Sequence, residues 1–336
     1  MIRQPISRSW RIGLGIAAIL LLMLCYTILS QSRQNTARRE QHTVAGKRLT
    51  QLAEQQQQLD LQRAKAEAVT AEQPRQRALD RLREQQLKLD KDLLKWRQIE
   101  REPNAADRTV PTWGMLIMEG LIRACTPQGD FERKETWILV DFKATAWRLL
   151  TGLLLGLAIS VFLGILMGCF DPAEAFFLPP FSFFSKVPAT AVLPIFFVLV
   201  QINFKMYLAI IAFGMLPTLA QSISASVRKD VPEELLFKAY TLGASQFELI
   251  WEVIFRQVLP RILDAARLQI GPALVLLVAA EWMVAGEGIG YRLRLFFQRT
   301  DMTVVFVYVL LLGLVGLMAD YALIWLRRKL CPWFGD

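Results

Sequence analysis

The sequence predicts an all-helical, polytopic membrane protein with about six transmembrane helices, and three observations carry that expectation. Hydrophobic residues make up 54% of the 336 residues, and the mean hydropathy is +0.32. Several apolar stretches approach or exceed the ~20 residues that a helix needs to cross a bilayer. Basic residues bracket the first and last of these stretches, at Arg3, Arg8 and Arg11 and at Arg327, Arg328 and Lys329.

The spans read, in order, as residues 12–30, about 145–169, 187–203, 205–224, 267–285 and 303–326. The first apolar run is longer than the ~7–15 residues of a signal peptide, and no A-x-A site follows Leu29, so it reads as a retained span. Pro188 and Pro194 fall inside the third, and only the stretch around Asn203 and Lys205 separates it from the fourth. Proline in a span is tolerated where neighbouring helices satisfy the freed carbonyls. The basic clusters put both termini in the cytoplasm by the positive-inside rule, together with the loop at about 225–265 that carries Arg228, Lys229, Lys238, Arg256 and Arg261.

Residues 1–30 thus read as a cytoplasmic tail with the first span, and 31–110 as an extracytoplasmic insertion. Residues 33–102 are rich in Gln, Arg, Lys, Glu, Leu and Ala, a helix-forming composition with interior breakers only at Gly46 and Pro74. Leu49, Leu52 and Leu59, and beyond the proline Leu79, Leu82, Gln86, Leu89, Leu93 and Trp96, follow a three-four repeat. That pattern predicts a coiled-coil-like hairpin turning near Pro74. Glutamines interrupt the seam, which leaves a solvated spacer as the other reading.

Residues 238–260, KAYTLGASQFELIWEVIFRQVLP, form the most informative segment. Leu242, Phe247, Ile250, Trp251 and Ile254 recur at spacings near three and four, giving an apolar stripe on a helix that also carries Lys238, Glu248, Glu252 and Arg256. A glycine inside a helix costs about 1 kcal/mol relative to alanine, so Gly243 belongs at a helix junction or where another backbone comes close. An amphipathic helix lying on the membrane surface or on its own core is the alternative.

With its Ala239, Gly243, Ala244 and Ser245, and Pro260 seventeen residues after the glycine, this segment resembles the cytoplasmic EAA loop of bacterial ABC importer permeases. The similarity continues through Arg267, the run VAAE ending at Glu281 and GIGY ending at Tyr291, as in the nitrate/sulfonate/taurine branch, and covers roughly residues 110–330. Relatives carry a Leu-Pro thirteen residues after the glycine; Arg256 stands at that proline position, so the helix is expected to run on before it breaks.

The resemblance implies a permease subunit with a MetI-like core over residues 111–336, a multi-pass protein of the bacterial inner membrane. It would work as a homodimer with cytoplasmic ATPase subunits and an extracytoplasmic solute-binding protein. Ala239, Gly243, Ala244, Ser245, Phe247, Trp251 and Pro260 would dock the ATPase. Arg267, Glu281, Gly288 and Gly290 would form part of a gate or of its framework. For Glu281 two readings stand: a place near the outer gate or translocation path, or hydrogen bonds that fix the GEGIGY turn. The implied cargo is a small anion such as a sulfonate, taurine or nitrate, although the branch also includes relatives that carry heterocyclic vitamin precursors. A non-transporting membrane scaffold or sensor acting through the outer hairpin is the second functional reading.

No catalytic constellation is expected. The single histidine, His42, lies in the polar insertion, so neither a histidine-based metal site nor a Ser-His-Asp triad has a supporting cluster. Gly286, Gly288 and Gly290 follow an apolar span rather than a strand, and no G-x-x-x-x-G-K-[ST] occurs. ATP hydrolysis is therefore assigned to a separate subunit, with no cofactor and no nucleic-acid partner. The four cysteines fall in spans or on opposite sides of the membrane and outline no disulfide framework. Arg148, Arg267, Glu281 and Asp320 fall in or beside spans, where a charge must face protein, water or the interface.

Overall fold

The structure is a computed structural model that describes residues 8–67, 72–104, 106–127 and 136–333. The chain divides into two compact units, Met1–Ile117 and Met118–Asp336.

In the first unit, α1 (Arg8–Glu67) is one continuous helix, so the apolar run and the first arm of the insertion share a single rod of 60 residues. At about 1.5 Å per residue it is roughly 90 Å long. The expected turn near Pro74 falls largely on residues 68–71, outside the described residues; α2 (Glu72–Arg101) starts before the proline and carries it in its first turn. There its missing N–H costs nothing, because the first-turn amides have no intrahelical acceptor. Leu52, Leu89 and Leu93 are buried between the two helices, with Leu49, Leu59 and Trp96 packed around them. Gln86 bonds to both Arg63 (3.2 Å) and Asp60 (3.4 Å). The pairing is antiparallel, and the returning chain is sewn back onto α1: the Gln34 side chain donates to the Asp107 carbonyl (2.8 Å) and accepts its N–H (3.0 Å). Tyr26 donates to the Pro111 carbonyl at 2.7 Å and meets Trp113 edge-on. A short helix over residues 113–125, α3, has a π-helical middle, Leu116–Ile122.

The second unit is built on α4 (Trp137–Cys169) and α7 (Phe204–Asp230). Their packing follows from a small-residue stripe that the sequence reading passed over: Gly152, Gly156, Ser160, Gly164 and Gly168 recur every four residues on one face of α4. A Cβ at Gly164 would lie 2.7 Å from Ile223 and 2.9 Å from the Ala220 carbonyl, and one at Gly168 would lie 2.6 Å from Val227. Backbones approach this closely only where side chains are absent, the usual device for joining helices in a bilayer. α4 also starts earlier than the expected 145, because Asp141 and Lys143, which read as the end of a polar segment, lie inside its first turns.

Between them, the expected span at 187–203 is not a single helix. α5 (Asp171–Phe184) is followed, across a 90° bend, by a 3-10 turn and the seven-residue α6 (Leu193–Leu199). Pro188 and Pro194 start these pieces rather than interrupt a span: Pro188 is the N-cap of the 3-10 turn, and Pro194 lies in the first turn of α6. Both are positions where the fixed φ of proline is favourable.

Beyond α7 come α8 (Glu233–Thr241) and α9 (residues 246–268, with a π-helical stretch at Leu249–Phe255). After a break at Gln269 the chain continues as α10 (Ile270–Val284), α11 (Ile289–Gln298) and α12 (Met302–Leu330). Among the described residues five helices are long and apolar enough to cross a membrane, and the bent pair would make a sixth. The expected fifth span at 267–285 is thus the second half of a longer stretch, Gln246–Val284, with its break at Gln269.

Candidate functional site

Two constellations stand at opposite ends of α4, one around Gly243 and the other around Glu281. The residues of α4 that face them, Gly168 and Asp141, are about 40 Å apart along the helix at 1.5 Å per residue.

At the Gly243 end, the chain takes the helix junction expected at the glycine, and the apolar stripe expected from Leu242 to Ile254 does not lie on a single helix. The Ala244 N–H bonds to the Ala239 carbonyl (3.1 Å) and the Gly243 N–H to the Tyr240 carbonyl (3.0 Å). With φ of +83° at Gly243, these are the bonds of a Schellman motif, which ends α8. Ser245 then opens α9 with a capping box: its backbone N–H donates to the Glu248 carboxylate (2.9 Å), and its hydroxyl accepts the Glu248 N–H (3.3 Å). Gly243 is therefore at a helix junction, and among the described residues nothing beyond its chain neighbours lies within 4 Å of where its Cβ would be.

The junction rearranges the expected apolar stripe. Leu249 and Ile254 turn inward and are buried, whereas Leu242, Phe247 and Trp251 are 88%, 76% and 54% exposed. Phe237 and Tyr240 add to the exposed set, and Trp251 stacks on Phe255 with ring centroids 4.8 Å apart. Leu242 left the stripe because it sits in the turn, out of the helical period. Pro260 does not end the helix either: it is buried inside α9, which runs through Arg256 to Leu268. Arg256 pairs with Glu252 one turn earlier at 2.7 Å. Beneath the turn lies a cleft of 410 Å³ lined by Gly168, Val227, Arg228, Tyr240, Gln246 and Leu249, among others. Arg228 fixes its rim with bonds to Asp171 (2.8 Å), Glu174 (2.8 Å) and the Met167 carbonyl (3.2 Å).

At the other end, Glu281 is fully buried and wholly occupied. Its carboxylate accepts from the Gly290 N–H (2.9 Å), the Thr145 hydroxyl (2.9 Å) and Arg148 (2.8 Å). The Thr145 Oγ in turn accepts the Ile289 N–H at 2.8 Å. Asp141, also fully buried, accepts from the Gly288 N–H (2.9 Å), Arg292 (2.7 Å) and the Tyr308 hydroxyl (2.8 Å). Two carboxylates and a threonine thus hold the three successive amides that open α11. Gly288, with φ of +116°, and Gly290, whose Cβ would lie 2.5 Å from the Val278 carbonyl, are the positions at which this turn requires glycine. The arginines are covered by aromatic faces, Arg148 by Tyr207 at 4.5 Å and Arg292 by Trp137 at 4.7 Å.

Asp141, Thr145, Arg292 and Tyr308 were missed by the sequence reading. Asp141 alone left a signal there, an acid set within the apolar run WILVDF. Arg267, grouped with Glu281 by sequence, lies elsewhere and pairs with Asp320 through two hydrogen bonds, one of them 2.9 Å. Among the described residues no group of three or more His, Cys, Asp and Glu side chains is arranged to hold a metal ion.

Residues 141–331 match the family model described as binding-protein-dependent transport system inner membrane component. A probable ABC transporter permease of Brucella melitensis is 30% identical over 231 residues, 66% of this chain and 92% of that one. The taurine transport system permease protein TauC of Escherichia coli is 27% identical over 220 residues, covering 66% and 78% of the two chains. The putative aliphatic sulfonates transport permease SsuC of Bacillus subtilis is 29% identical over 187 residues, 56% and 67% of the two. Among solved structures, a chain of the inward-facing MetNI methionine ABC transporter aligns with 58% of this chain and 96% of its own, at 16% identity and a TM-score of 0.48.

Proposed function

The chain belongs to the binding-protein-dependent transport system inner membrane components, and from that premise we propose how this member couples to its partners. It is a multi-pass permease subunit of an ABC importer, and ATP hydrolysis belongs to a separate subunit. The α8–α9 turn docks the ATPase through Ala239, Gly243, Ala244, Ser245, Phe247 and Trp251, with Pro260 buried farther along the same helix.

The observation that carries this reading is the exposed apolar and aromatic patch around a turn that is fully satisfied internally. A Schellman cap and a capping box fix its shape, yet Leu242 and Phe247 project outward, and Trp251 stays half-exposed even where it stacks on Phe255. A rigid, exposed apolar patch of this kind marks a contact surface. Closure of the ATPases would then move residues 234–256 as a lever.

The turn and both termini face the cytoplasm, which the basic clusters at either end of the chain support. The Glu281 clamp accordingly lies toward the outer face, where it frames the turn into α11. Its carboxylate has no capacity left for a solute, so the framework role is favoured over that of a ligand. The permease works as a homodimer enclosing the path between two copies, and it receives its cargo from an extracytoplasmic binding protein. The cargo is a small anion, since permeases for taurine, sulfonates and bicarbonate are among the relatives.

Gly243→Asp tests the docking. Among the described residues none obstructs a side chain there, so the substitution reports the partner's surface, and Gly243→Asn, which tolerates the left-handed conformation, controls for backbone strain. The Asp variant is expected to insert normally but to lose the coexpressed ATPase on purification, as is Ala239→Asp. Full ATPase recovery in both Asp variants would refute the docking assignment.

A further inference from the structure

We propose that α9 is bolted at its far end to α12 and α7 by a series of ion pairs, and that this staple, rather than the covalent continuation into α10, carries motion of the docking turn into the last span. The inference rests on the docking of the ATPase at the α8–α9 turn.

Three charged residues of α9, three apart in sequence, each meet an opposite charge on another helix. Arg261 meets Asp230 at the end of α7 at 3.5 Å. Asp264 is held by Arg327 of α12 at 3.0 and 3.1 Å. Arg267 grips both oxygens of Asp320, also on α12. The two α12 residues lie seven positions apart, two helical turns, and so share a face.

The order of the charges locks the register. Asp264 meets Arg327 while Arg267 meets Asp320, so the helices run antiparallel with alternating sign. Sliding α9 along α12 in either direction brings Asp264 toward Asp320 or Arg267 toward Arg327. Both displacements exchange attraction for like-charge repulsion. Asp320 lies about 10 Å along α12 from Arg327, within a helix apolar enough to span the membrane. Both side chains are partly exposed, so the strength of the pair lies in its geometry: a bidentate arginine–carboxylate pair fixes orientation as well as distance.

The covalent route leads into an anchored helix. Immediately after the last staple the helix breaks at Gln269, whose N–H bonds to the Ala266 carbonyl in a tightened final turn. Beyond that joint α10 ends at the Glu281 clamp, where Glu281 is held by Thr145 and Arg148 of α4 and by the α11 amide of Gly290. A displacement of α9 therefore meets, beyond a one-residue break, an anchored helix on one side, and a register-locked partner on the other. Ile262, Leu263 and Ala266, buried on α9, add apolar packing beside the staples.

The test uses the membrane-reconstituted permease with its coexpressed ATPase, the four native cysteines replaced and Met302→Cys placed at the first residue of α12. Maleimide reactivity of that cysteine is compared without nucleotide and with ATP plus vanadate. The unaltered staple is expected to give at least a fivefold change in rate. Arg267→Asp and Asp320→Arg should each cut the change below twofold while ATPase copurification persists, and the charge-swapped double variant should recover at least half. Should the single variants fail to insert, the neutral pair Arg267→Gln with Asp320→Asn removes the bridge without leaving an unpaired charge, and the same loss is expected. A full response in the single or neutral variants, no recovery in the swap, or no response at all in the unaltered staple would overturn the proposal. Retention of the ATPase by Gly243→Asp together with the predicted staple pattern would instead displace the docking site while leaving the staple in place.

Discussion

Glu281 and Gly290, nine residues apart, are joined by a 2.9 Å hydrogen bond from the Gly290 amide to the Glu281 carboxylate, and the same carboxylate receives Arg148 from another helix at 2.8 Å. One buried acid therefore closes a turn and ties it to α4. The arrangement is costly to break from one side only, because Arg148 is largely buried and would keep its charge.

Glu281→Ala should destabilise the detergent-solubilised permease by about 3–5 kcal/mol, the usual penalty for orphaning one member of a buried ion pair. Glu281→Gln keeps an acceptor for the Gly290 amide and should cost less, on the order of 1.5–3 kcal/mol. Thermal unfolding of the two variants beside the wild type measures both. Wild-type stability in the alanine variant would mean the clamp does not hold the turn.

Gly164→Val should weaken the α4–α7 contact. Its Cβ alone would fall 2.7 Å from Ile223 and 2.9 Å from the Ala220 carbonyl, and the carbonyl has no rotamer to change. Overpacking of this kind costs about 1–3 kcal/mol. Gly313, with nothing within 4 Å of its Cβ position, is the matched control, and valine there should be tolerated far better in the same melting assay.

The topology can be read by labelling. A cysteine introduced at Gln57 should react with an impermeant maleimide on intact cells, and one at Gln246 only after the membrane is opened. Both side chains are exposed in the structure, so reactivity reports the side of the membrane rather than burial. The opposite pattern would turn the docking turn away from any cytoplasmic ATPase.

Residues 33–105 are expected to tune capture of the binding protein or another envelope partner and to be dispensable for ATPase coupling. Their basic excess would steer an acidic partner at low ionic strength, an effect that salt weakens. Replacing them with a short Gly/Ser linker should preserve assembly but raise the binding-protein concentration needed for half-maximal uptake. Loss of ATPase coupling at saturating binding protein, in correctly assembled complexes, would make the hairpin a working part of the transport cycle.

Much of this chain was legible residue by residue. The apolar runs that become α1, α4, α7 and α12 announce themselves because transfer into a bilayer is a sum of local terms, each carried by one side chain. The junction at Gly243 was legible for the same reason, since a glycine's helix penalty is a property of one residue, whereas the Ser245/Glu248 cap, equally local, was passed over. Local rules also misled. They read Pro188 and Pro194 as interruptions of one span, when each starts a separate piece beyond a bend.

The tertiary structure alone decided which charges meet and which apolar faces stay open. Asp141 and Tyr308 are 167 positions apart, and Arg267 and Asp320 are 53. No periodicity in the chain carries such a pairing, since it depends on how α4, α9, α11 and α12 pack once the spans exist. The same packing turned Leu249 and Ile254 inward and left Phe247 and Trp251 exposed. Sequence placed Phe247, Trp251 and Ile254 on one apolar stripe and did not single out Leu249, and only the position of the neighbouring helices chose the face that would be covered.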